Sequence, residues 1–395
     1  MNCKTLNDHK LKNKRILVRA DLNVPLDKTK ILDNSRIERI VPTVRKIIKE
    51  GGQPILMSHL GRPKEGYDKS LSLSQLVPEL SRLLDCPVKF SNEIIGPNAL
   101  GKVKSLASGE VLLLENTRFK TQEEANDINF SKSLSELGDV FCNDAFSASH
   151  RAHASTVGVA KFLPNCIGLL MQEELAALQT VLTEPTRPLV AVVGGAKVSN
   201  KIDLLTNLIQ KVDHLVIGGG MANTFLYAQG NPIGSSLCEK NLKDTARKVL
   251  KKSEESGCEV HIPRDVIVAS DLKPNAQSAV VDAGKVPEEA IILDIGPSTC
   301  KRVSQIFEKC KTLIWNGPMG AFETSPFDMG TNITATSAAK LTQKKQLISV
   351  AGGGDTVSAL KKAGVVDDFS YVSLAGGAFL EWMEGKELPG IACLD

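Results

Sequence analysis

The sequence predicts an α/β fold with two parallel sheets, and two observations support this. Short apolar runs alternate with stretches whose apolar residues recur at helical spacing, a pattern typical of βα units around a buried parallel sheet. The residues that follow the runs are charged or amide-bearing in the first half of the chain and glycine-rich in the second. Because ligands bind beyond the carboxyl ends of such strands, we expect two sheets with different ligand chemistries.

The first βαβ unit illustrates the pattern. Residues 15–18 (RILV) and 54–57 (PILM) read as strands. Between them, apolar residues at helical spacing predict one helix, which Gly51 and Gly52 end. The apolar face of that helix consists of Ile37, Ile40, Val41, Val44, Ile47 and Ile48.

Length and composition exclude several classes of protein. A chain of 395 residues is long enough for two or three domains with sizeable cores. A formal net charge of +3 does not favour nucleic acid or a membrane surface as a partner. The nine cysteines are scattered without a C-x-x-C pair, and the sequence shows neither a signal core nor a membrane span. We therefore expect a cytoplasmic protein without a disulfide framework.

Between the halves, one helix is predicted to join two domains. Met171, Leu175, Leu178 and Leu182 share one helical face, and Pro185 and Pro188 follow.

Cations follow the predicted strands of the first half, namely Arg36, His59, Arg62, Arg118 and Arg151. Guanidinium groups match carboxylate and phosphate oxygens, so together they suit a small molecule with two or more anionic groups. Asp21 and Asn23 would serve its hydroxyl groups. Surface ion pairs are the alternative for any single arginine.

The histidines at positions 150 and 153 allow a metal interpretation, but they lack further ligands at suitable spacing. Positioning of Arg151 is the preferred interpretation. The P-loop, the complete G-x-G-x-x-G fingerprint and the G-x-S-x-G elbow are all absent from the sequence.

The glycine runs of the second half predict phosphate binding, because glycine lets backbone N–H groups approach an anion at a helix N-terminus. Residues 352–356 (GGGDT) precede a predicted helix, and Asp355 is a candidate magnesium ligand or, alternatively, an N-cap. Lys197 and Lys201, four residues apart after Gly194 and Gly195, can face one phosphate chain.

Six motifs carry a resemblance to the phosphoglycerate kinase family over nearly the whole chain. They are residues 18–25 (VRADLNVP), 58–63 (SHLGRP), 150–153 (HRAH), 194–199 (GGAKVS), 315–318 (WNGP) with 322–323 (FE), and 352–356 (GGGDT). The resemblance implies two Rossmann-like domains with parallel sheets, joined by a helix and hinge. It assigns residues 1–168 to the 3-phosphoglycerate domain, completed by the tail 378–395, residues 169–185 to the interdomain helix and residues 186–377 to the nucleotide domain.

The implied activity is reversible, Mg²⁺-dependent phosphoryl transfer from 1,3-bisphosphoglycerate to ADP in glycolysis, by a monomer whose domains close on the substrates. Matching positions would hold the glycerate through Asp21, Asn23, Arg36, His59, Arg62, Arg118 and Arg151. The nucleotide positions are Lys197, Lys201, Gly218, Gly219, Asn316, Glu323, Gly352, Gly353, Gly354, Asp355 and Thr356, with Glu323 at the ribose and Asp355 at magnesium. The catalytic set is Arg36, Lys197, Gly353 and Gly376.

Three departures from the family pattern stand out. Asn200 replaces a frequent Asp, Ala375 and Phe379 replace a frequent Gly and Ser, and Leu374 replaces Thr, which removes a hydroxyl and is expected to slow closure. Two other functions stay open on the residues alone. A different acyl-phosphate kinase would differ in its substrate panel, and a catalytically silent binding protein would not need Arg36, Lys197 and Asp355.

Overall fold

A computed structural model of the chain describes residues 3–64 and 66–394. The chain divides into two compact units. The first unit comprises the residues up to Leu175 and those from Glu387 onward, and the second runs from Ala176 to Lys386. Each unit is built around its own parallel sheet.

The first unit contains eight strands within its described residues. They are β1 (Arg15–Arg19), β2 (Leu26–Asp27), β3 (Lys30–Ile31), β4 (Gln53–Met57), β5 (Val88–Phe90), β6 (Val111–Leu113), β7 (Val140–Asn143) and β8 (Asn165–Ile167). Six of them form a parallel sheet in the order β5-β6-β4-β1-β7-β8, and β2 pairs with β3 as a hairpin.

Helices cover both faces of this sheet. They are α1 (Ser35–Lys49), α2 (Val77–Leu84), α3 (Pro97–Lys104), α4 (Thr121–Glu124), α5 (Ile128–Ser135) and the start of α6 (Leu169–Leu182). Successive residues of β1 alternate between two apolar clusters, with Ile16 and Val18 in one and Leu17 in the other. A strand buried on both faces explains the unbroken apolar runs in the sequence.

The second unit begins with the remainder of α6 and repeats the βα pattern. Its elements are β9 (Leu189–Val193), α7 (Ile202–Leu208), β10 (His214–Ile217), α8 (Gly219–Ala228), α9 (Lys243–Glu255), β11 (Glu259–His261), β12 (Asp265–Ala269), β13 (Ser278–Asp282), β14 (Ile291–Ile295), α10 (Pro297–Lys309), β15 (Thr312–Asn316), α11 (Met329–Gln343), β16 (Ile348–Gly352), α12 (Gly354–Lys362), β17 (Tyr371–Ser373) and α13 (Gly376–Met383). The tail of the chain returns to the first unit as α14 (Pro389–Ala392).

The main sheet of this unit is parallel in the order β11-β10-β9-β15-β16-β17, with β13-β12-β14 as a separate antiparallel sheet. The parallel order is that of a doubly wound sheet, and its direction reverses between β9 and β15. Ligands bind at such a reversal because the connections on its two sides run to opposite faces and leave a crevice.

The predicted α/β class with two parallel sheets is confirmed. The predicted strands at residues 15–18 and 54–57 are β1 and β4, the predicted helix between them is α1, and the helix predicted from Met171 onward is α6. The division differs from the predicted start of the tail at residue 378, because residues up to Lys386 group with the second unit. There the ring of Phe379 packs against Gly352, and Asn207 Nδ2 donates to the carbonyl of Met383.

All nine cysteines are free thiols. Among the described residues, helices that are both long and apolar enough to cross a bilayer are absent.

Replacement of Phe307 by alanine should destabilise the second unit. Phe307 lies on α10 and is fully buried, with its ring 6.0 Å from the ring of Trp315 on β15. We expect the F307A substitution to lower the free energy of unfolding by about 3–5 kcal/mol, measured by urea denaturation with tryptophan fluorescence. The control Ile333→Ala removes a 43% exposed side chain of α11 and should change it by about 0.5 kcal/mol or less. Equal losses of stability in the two variants would contradict the burial of Phe307 in the core.

Candidate active site

The predicted anion-binding residues of the first unit lie beyond the carboxyl ends of its strands. Asp21 and Asn23 follow β1, His59 and Arg62 follow β4, and Arg118 lies in a 3₁₀ turn just after β6. Since these strands are neighbours in one parallel sheet, their ends open onto the same edge.

Asp21 is the centre of one group of contacts. Its carboxylate is buried and accepts hydrogen bonds from the Arg36 guanidinium, from Ser147 Oγ at 2.5 Å and from the Asn23 backbone N–H at 3.1 Å. Arg36 reaches it from the first turn of α1. These contacts place an acidic group and a guanidinium side by side at the sheet edge.

The loop after β4 connects the other residues. The Gly61 N–H donates to Asn23 Oδ1 at 2.8 Å, and Arg118 Nη1 donates to the Gly61 carbonyl at 2.9 Å. Burial lowers the pKa of Arg118, and the positive charges of Arg151 and Arg62 lower it further. The guanidinium groups are therefore close enough to repel one another, and a bound anion would relieve that repulsion.

His59 is held by Arg19, a residue that the sequence analysis missed. Arg19 is almost fully buried, and its Nη2 lies 3.0 Å from His59 Nδ1. Burial, followed by the charge of Arg19, lowers the pKa of His59 well below its usual value. A neutral His59 that accepts at Nδ1 carries its proton on Nε2, so it is a hydrogen-bond donor at that atom.

The charge of Arg19 is balanced inside the protein by Glu123. Ser155 links them, since Arg19 Nε donates to Ser155 Oγ at 2.8 Å and Ser155 Oγ donates to Glu123 Oε1 at 2.5 Å. The sequence did contain a signal for this pair. Arg19 directly follows the apolar run 16–18, and a charge buried at the end of a core strand needs a partner of opposite charge.

His150 contacts Arg151, the residue that it was predicted to position. Its Nε2 accepts a hydrogen bond from Arg151 Nε at 3.2 Å. The other histidine of the motif, His153, is buried, and its Nδ1 lies 3.9 Å from Glu123 Oε1.

In the second unit, a cavity of about 480 Å³ opens at the reversal between β9 and β15. The groups that line it are mostly glycines, cations and amides. They include Gly194, Gly195, Lys197, Asn200, Lys201, Asn316, Gly353, Gly354, Asp355, Thr356 and Gly376. The predicted glycine runs after β9, β15 and β16 thus meet at one crevice.

Only glycine fits where the loops after β9 and β15 touch. A Cβ on Gly194 would lie 1.9 Å from the Pro318 carbonyl oxygen, and one on Gly317 would lie 2.2 Å from the Gly194 oxygen. Gly317 also has a φ of +100°. The two loops therefore pack backbone against backbone, which leaves peptide groups facing the cavity.

Lys201 is fixed within this cavity. Its Nζ donates to Asn316 Oδ1, and Asn316 Nδ2 donates to the Gly352 carbonyl at 2.7 Å. Burial lowers the pKa of Lys201 to about 8, although the carboxylates of Glu384 and Asp355 act in the opposite direction. The ammonium group is therefore only partly solvated and available to an anion.

Asp355 lies in the first turn of α12, and Gly353, with a φ of +100°, is the N-cap. The alternative interpretation of Asp355 as the N-cap is therefore wrong. The Asp355 side chain is exposed to the cavity, next to the N-terminal N–H groups of α12. Thr356 Oγ1 accepts from the Gly317 N–H at 2.7 Å and ties α12 to the loop after β15.

A second cavity of about 360 Å³ shares Gly195, Ala196, Pro318 and Asp355 with the first. The other residues that line it are largely apolar, and Glu323 provides a carboxylate besides that of Asp355. The apolar side chains are Leu237, Leu272, Ile291, Ile292, Leu293 and Phe322. The two cavities thus offer an apolar and a polar environment on either side of a shared wall. These apolar residues were not predicted as site residues, because nothing in their spacing separates them from core residues.

Two of the predicted nucleotide residues lie behind the cavities. Gly218 packs against Met319, and Gly352 packs against the ring of Phe379. Gly219 and Gly220 line the apolar cavity. Leu374 is half-buried and directly follows β17, two residues before Gly376, which lines the polar cavity.

Cations gathered at the sheet edge of one unit, and a crevice lined by glycines and lysines in the other, are features expected of a phosphoryl-transfer enzyme. The comparisons with known proteins agree. The family model of phosphoglycerate kinase matches residues 6–386. The chain is 54% identical to the phosphoglycerate kinase of Cereibacter sphaeroides over 100% of both chains, and 54% identical to that of Ruegeria pomeroyi over 100% of this chain and 99% of the other.

Solved structures show the same similarity. Phosphoglycerate kinase from Coxiella burnetii matches with a TM-score of 0.91 and 42% identity, over 99% of this chain and 98% of that one. The enzyme from Pyrococcus horikoshii matches with a TM-score of 0.84 and 30% identity over the same shares. The chain belongs to the phosphoglycerate kinase family, enzymes that transfer a phosphoryl group to and from a carboxyl group, and the predicted family resemblance is confirmed.

Substitution of Arg19 by methionine should strongly destabilise the first unit. It would leave Glu123 buried without a positive partner, and we expect a loss of about 3–5 kcal/mol in the free energy of unfolding. Burial already raises the pKa of Glu123, and loss of the charge of Arg19 would raise it further. A carboxyl whose pKa is raised by folding stabilises the folded state less as the pH rises, so the loss should be larger at pH 7.5 than at pH 5.

Urea denaturation at both pH values measures this, with the double variant Arg19→Met/Glu123→Gln as the control. Removal of the unpaired carboxylate should recover part of the stability and reduce the pH dependence, with a remainder from His59, whose pKa is no longer lowered by the charge of Arg19. A loss that is equal at both pH values would show that Glu123 does not carry it.

Proposed function

We propose that the chain performs the family reaction, reversible Mg²⁺-dependent phosphoryl transfer from 1,3-bisphosphoglycerate to ADP, with one reactant on each unit. The observation that carries this proposal is the pair of cavities at the β9–β15 reversal, one polar and one apolar. Their shared wall suits a nucleotide, whose phosphates and base need these two environments. The cations of the first unit suit the phosphorylated acid.

The first unit would hold the glycerate. Arg62, Arg118 and Arg151 supply guanidinium groups for the 3-phosphate, which matches their mutual proximity. Asp21 and Asn23 would accept from and donate to the hydroxyl group, and His59 would donate from Nε2. Arg36, now paired with Asp21, would turn to the carboxyl phosphate.

The second unit would hold the nucleotide. Lys201 and Lys197 would contact the phosphates, together with the N–H groups at Gly353, Gly354 and Gly376. Glu323 lies in the apolar cavity, where its carboxylate would accept from the ribose hydroxyls. Gly219 would bring its backbone near the base, while Gly218, Gly352, Asn316 and Thr356 would support the loops around the phosphates.

Asp355 fits a magnesium ligand. Its exposed carboxylate lines the phosphate cavity, and Mg²⁺ in such sites takes one or two carboxylates together with substrate phosphates. When bound, the ion would neutralise charge on the phosphate oxygens and orient them.

Phosphoryl transfer needs positioning and charge stabilisation rather than a protein nucleophile. Arg36 and Lys197 would place positive charge on the transferring group, and the N–H groups of Gly353 and Gly376 would donate to its oxygens. The neutral state of His59 keeps it a donor rather than an acid. The glycine N–H groups are held by the backbone before reaction, so these donors need little reorganisation as charge develops.

We further propose that the protein works in the cytoplasm as a monomer. Free thiols at all nine cysteines fit a reducing compartment. The sequence shows no heptad seam, which is consistent with a single chain.

A coupled assay tests the proposed reaction. Purified protein with 1,3-bisphosphoglycerate and ADP should form ATP only when Mg²⁺ is present. Removal of Mg²⁺ with a chelator should stop ATP formation, and added Mg²⁺ should restore it. No ATP formation from these substrates, together with activity on another acyl phosphate, would reject the assignment.

The Arg36→Ala substitution should leave the protein folded and lower kcat by at least about a hundredfold, since one transition-state donor is worth about 2.7–4 kcal/mol. The matched control is Arg45→Ala on the same helix, whose guanidinium donates to the Leu83 carbonyl. Circular dichroism checks folding, and the coupled assay measures kcat. Similar rates for both variants would remove Arg36 from the reaction.

The pKa of Lys201, lowered to about 8, predicts a pH-dependent affinity for ADP. A bound phosphate stabilises the ammonium form, so the pKa of Lys201 rises in the complex. Affinity should therefore fall as the pH rises above 8, by up to about tenfold per pH unit. Calorimetric titration with MgADP from pH 6.5 to 9.5 measures this.

The Lys201→Met variant is the control for that titration. It should bind MgADP more weakly at pH 7 and lack the decrease above pH 8. The same decrease in the variant and the unmodified protein would assign it to another group.

A further inference from the structure

A third cavity, of about 400 Å³, lies in the second unit between the edge strand β11 and helix α10. It shares no lining residue with the two nucleotide cavities. His214, Glu259 and His261 converge in it. This cluster takes no part in the proposed function.

The strand register brings the three side chains together. His214 on β10 pairs with Glu259 on the neighbouring strand β11, and His261 follows Glu259 by two residues. Residues two apart on a strand share a face, so all three project to the same side of the sheet edge.

The possible ligand atoms lie close together. His214 Nδ1 is 3.1 Å from His261 Nε2 and 3.4 Å from Glu259 Oε2. All three ligand atoms lie within 4.8 Å of one another. Two donors each about 2.1 Å from a tetrahedral zinc ion lie roughly 3.4 Å apart, so one ion can reach all three after small side-chain movements.

We infer that His214, Glu259 and His261 form a binding site for one divalent transition-metal ion of the Zn²⁺ class. Two imidazoles and one carboxylate are a common zinc donor set, and water would complete the tetrahedron from the open side of the cavity. His261 is 4% exposed, whereas Glu259 is 59% exposed, so the ion would enter past Glu259.

The hydrogen bonds already place the His214 ring in the form that a metal ligand requires. Arg302 Nη2 lies 3.0 Å from His261 Nδ1, so that atom accepts and the His261 proton sits on Nε2, facing His214 Nδ1. His214 Nδ1 therefore already presents a lone pair. Metal binding requires the His261 proton to move from Nε2 to Nδ1. Because Arg302 Nη2 donates to Nδ1, its guanidinium would have to leave that atom and keep only Glu259 Oε1, which lies 3.5 Å from Nη2. The moved proton would then face the same carboxylate oxygen, 3.6 Å from Nδ1.

The surrounding charge decides which cations fit. Arg264, Lys301, Arg302 and Lys309 line the same cavity and repel cations. Ca²⁺ and Mg²⁺, which depend on oxygen donors and charge, are disfavoured, whereas a metal with strong bonds to imidazole nitrogen can still bind. The site should therefore select Zn²⁺ over Mg²⁺.

Bound metal would tie β10 to the edge strand. His214 begins β10, whereas the glycines near the nucleotide cavities follow the opposite end of that strand. The metal should therefore raise the melting temperature of the protein, and variants at this site should keep their activity in the coupled assay.

Calorimetric titration of the full chain with Zn²⁺, without chelators or phosphate, tests the inference. We expect one tight equivalent, which His261→Gln, His214→Gln and Glu259→Gln each weaken at least about tenfold, because loss of a ligand should cost at least as much as loss of an outer-shell partner. His150→Gln and Glu254→Gln are matched controls that should leave the affinity unchanged. Glu259 is exposed, so its variant provides the test even if a histidine variant fails to fold.

Co²⁺ in place of Zn²⁺ excludes the cysteines as ligands. The spectrum should show visible d–d bands without a thiolate charge-transfer band, and His261→Gln should abolish the d–d bands. Zinc affinity equal in the protein and all three variants, or a thiolate band, would overturn the inference. A third result would also overturn it: no tight binding of zinc, together with binding of inorganic phosphate that Arg302→Gln abolishes. The cavity would then be an anion site.

Discussion

The backbone contact between the loops after β9 and β15 is the constraint on which the second unit depends. Gly194 and Gly317 touch through main-chain atoms, with no room for a Cβ on either. That approach lets Asn316 reach the Gly352 carbonyl and lets Thr356 accept from Gly317. Three strand ends are thereby fixed around one cavity, and their peptide groups and Lys201 face it.

The first unit is under a different constraint. Several positive charges lie at one sheet edge, and the carboxylates that neutralise them must not block the site. Asp21 and Glu124 pair with Arg36 and Arg118 at the sheet edge. Arg19 is neutralised from within by Glu123, out of reach of solvent. The buried pair keeps His59 neutral, whereas the two pairs at the sheet edge are less enclosed. The arginine that is paired in the interior is thus a different one from those that are proposed to bind substrate.

The strand and helix pattern was predictable where periodicity was strong. The elements β1, α1, β4 and α6 followed directly from apolar spacing, because a buried parallel strand and an amphipathic helix differ in length and period. The N-cap interpretation of Asp355 was wrong because glycine at position 353, with its positive φ, can begin the helix two residues earlier. The antiparallel sheet β13-β12-β14 had no equally clear signature.

For the site, the sequence determined the chemistry. It determined which residue types follow the strands, hence guanidinium groups in one unit and glycines with lysines in the other, and it determined family membership through six motifs. Tertiary structure alone decided the partners. It paired Arg19 with His59 and Glu123, lined the apolar cavity with Leu237 and Phe322, and brought His214 to His261. The physical reason is that strand ends carry local signals, whereas contacts between residues distant in sequence depend on sheet order and register, which a single sequence does not state.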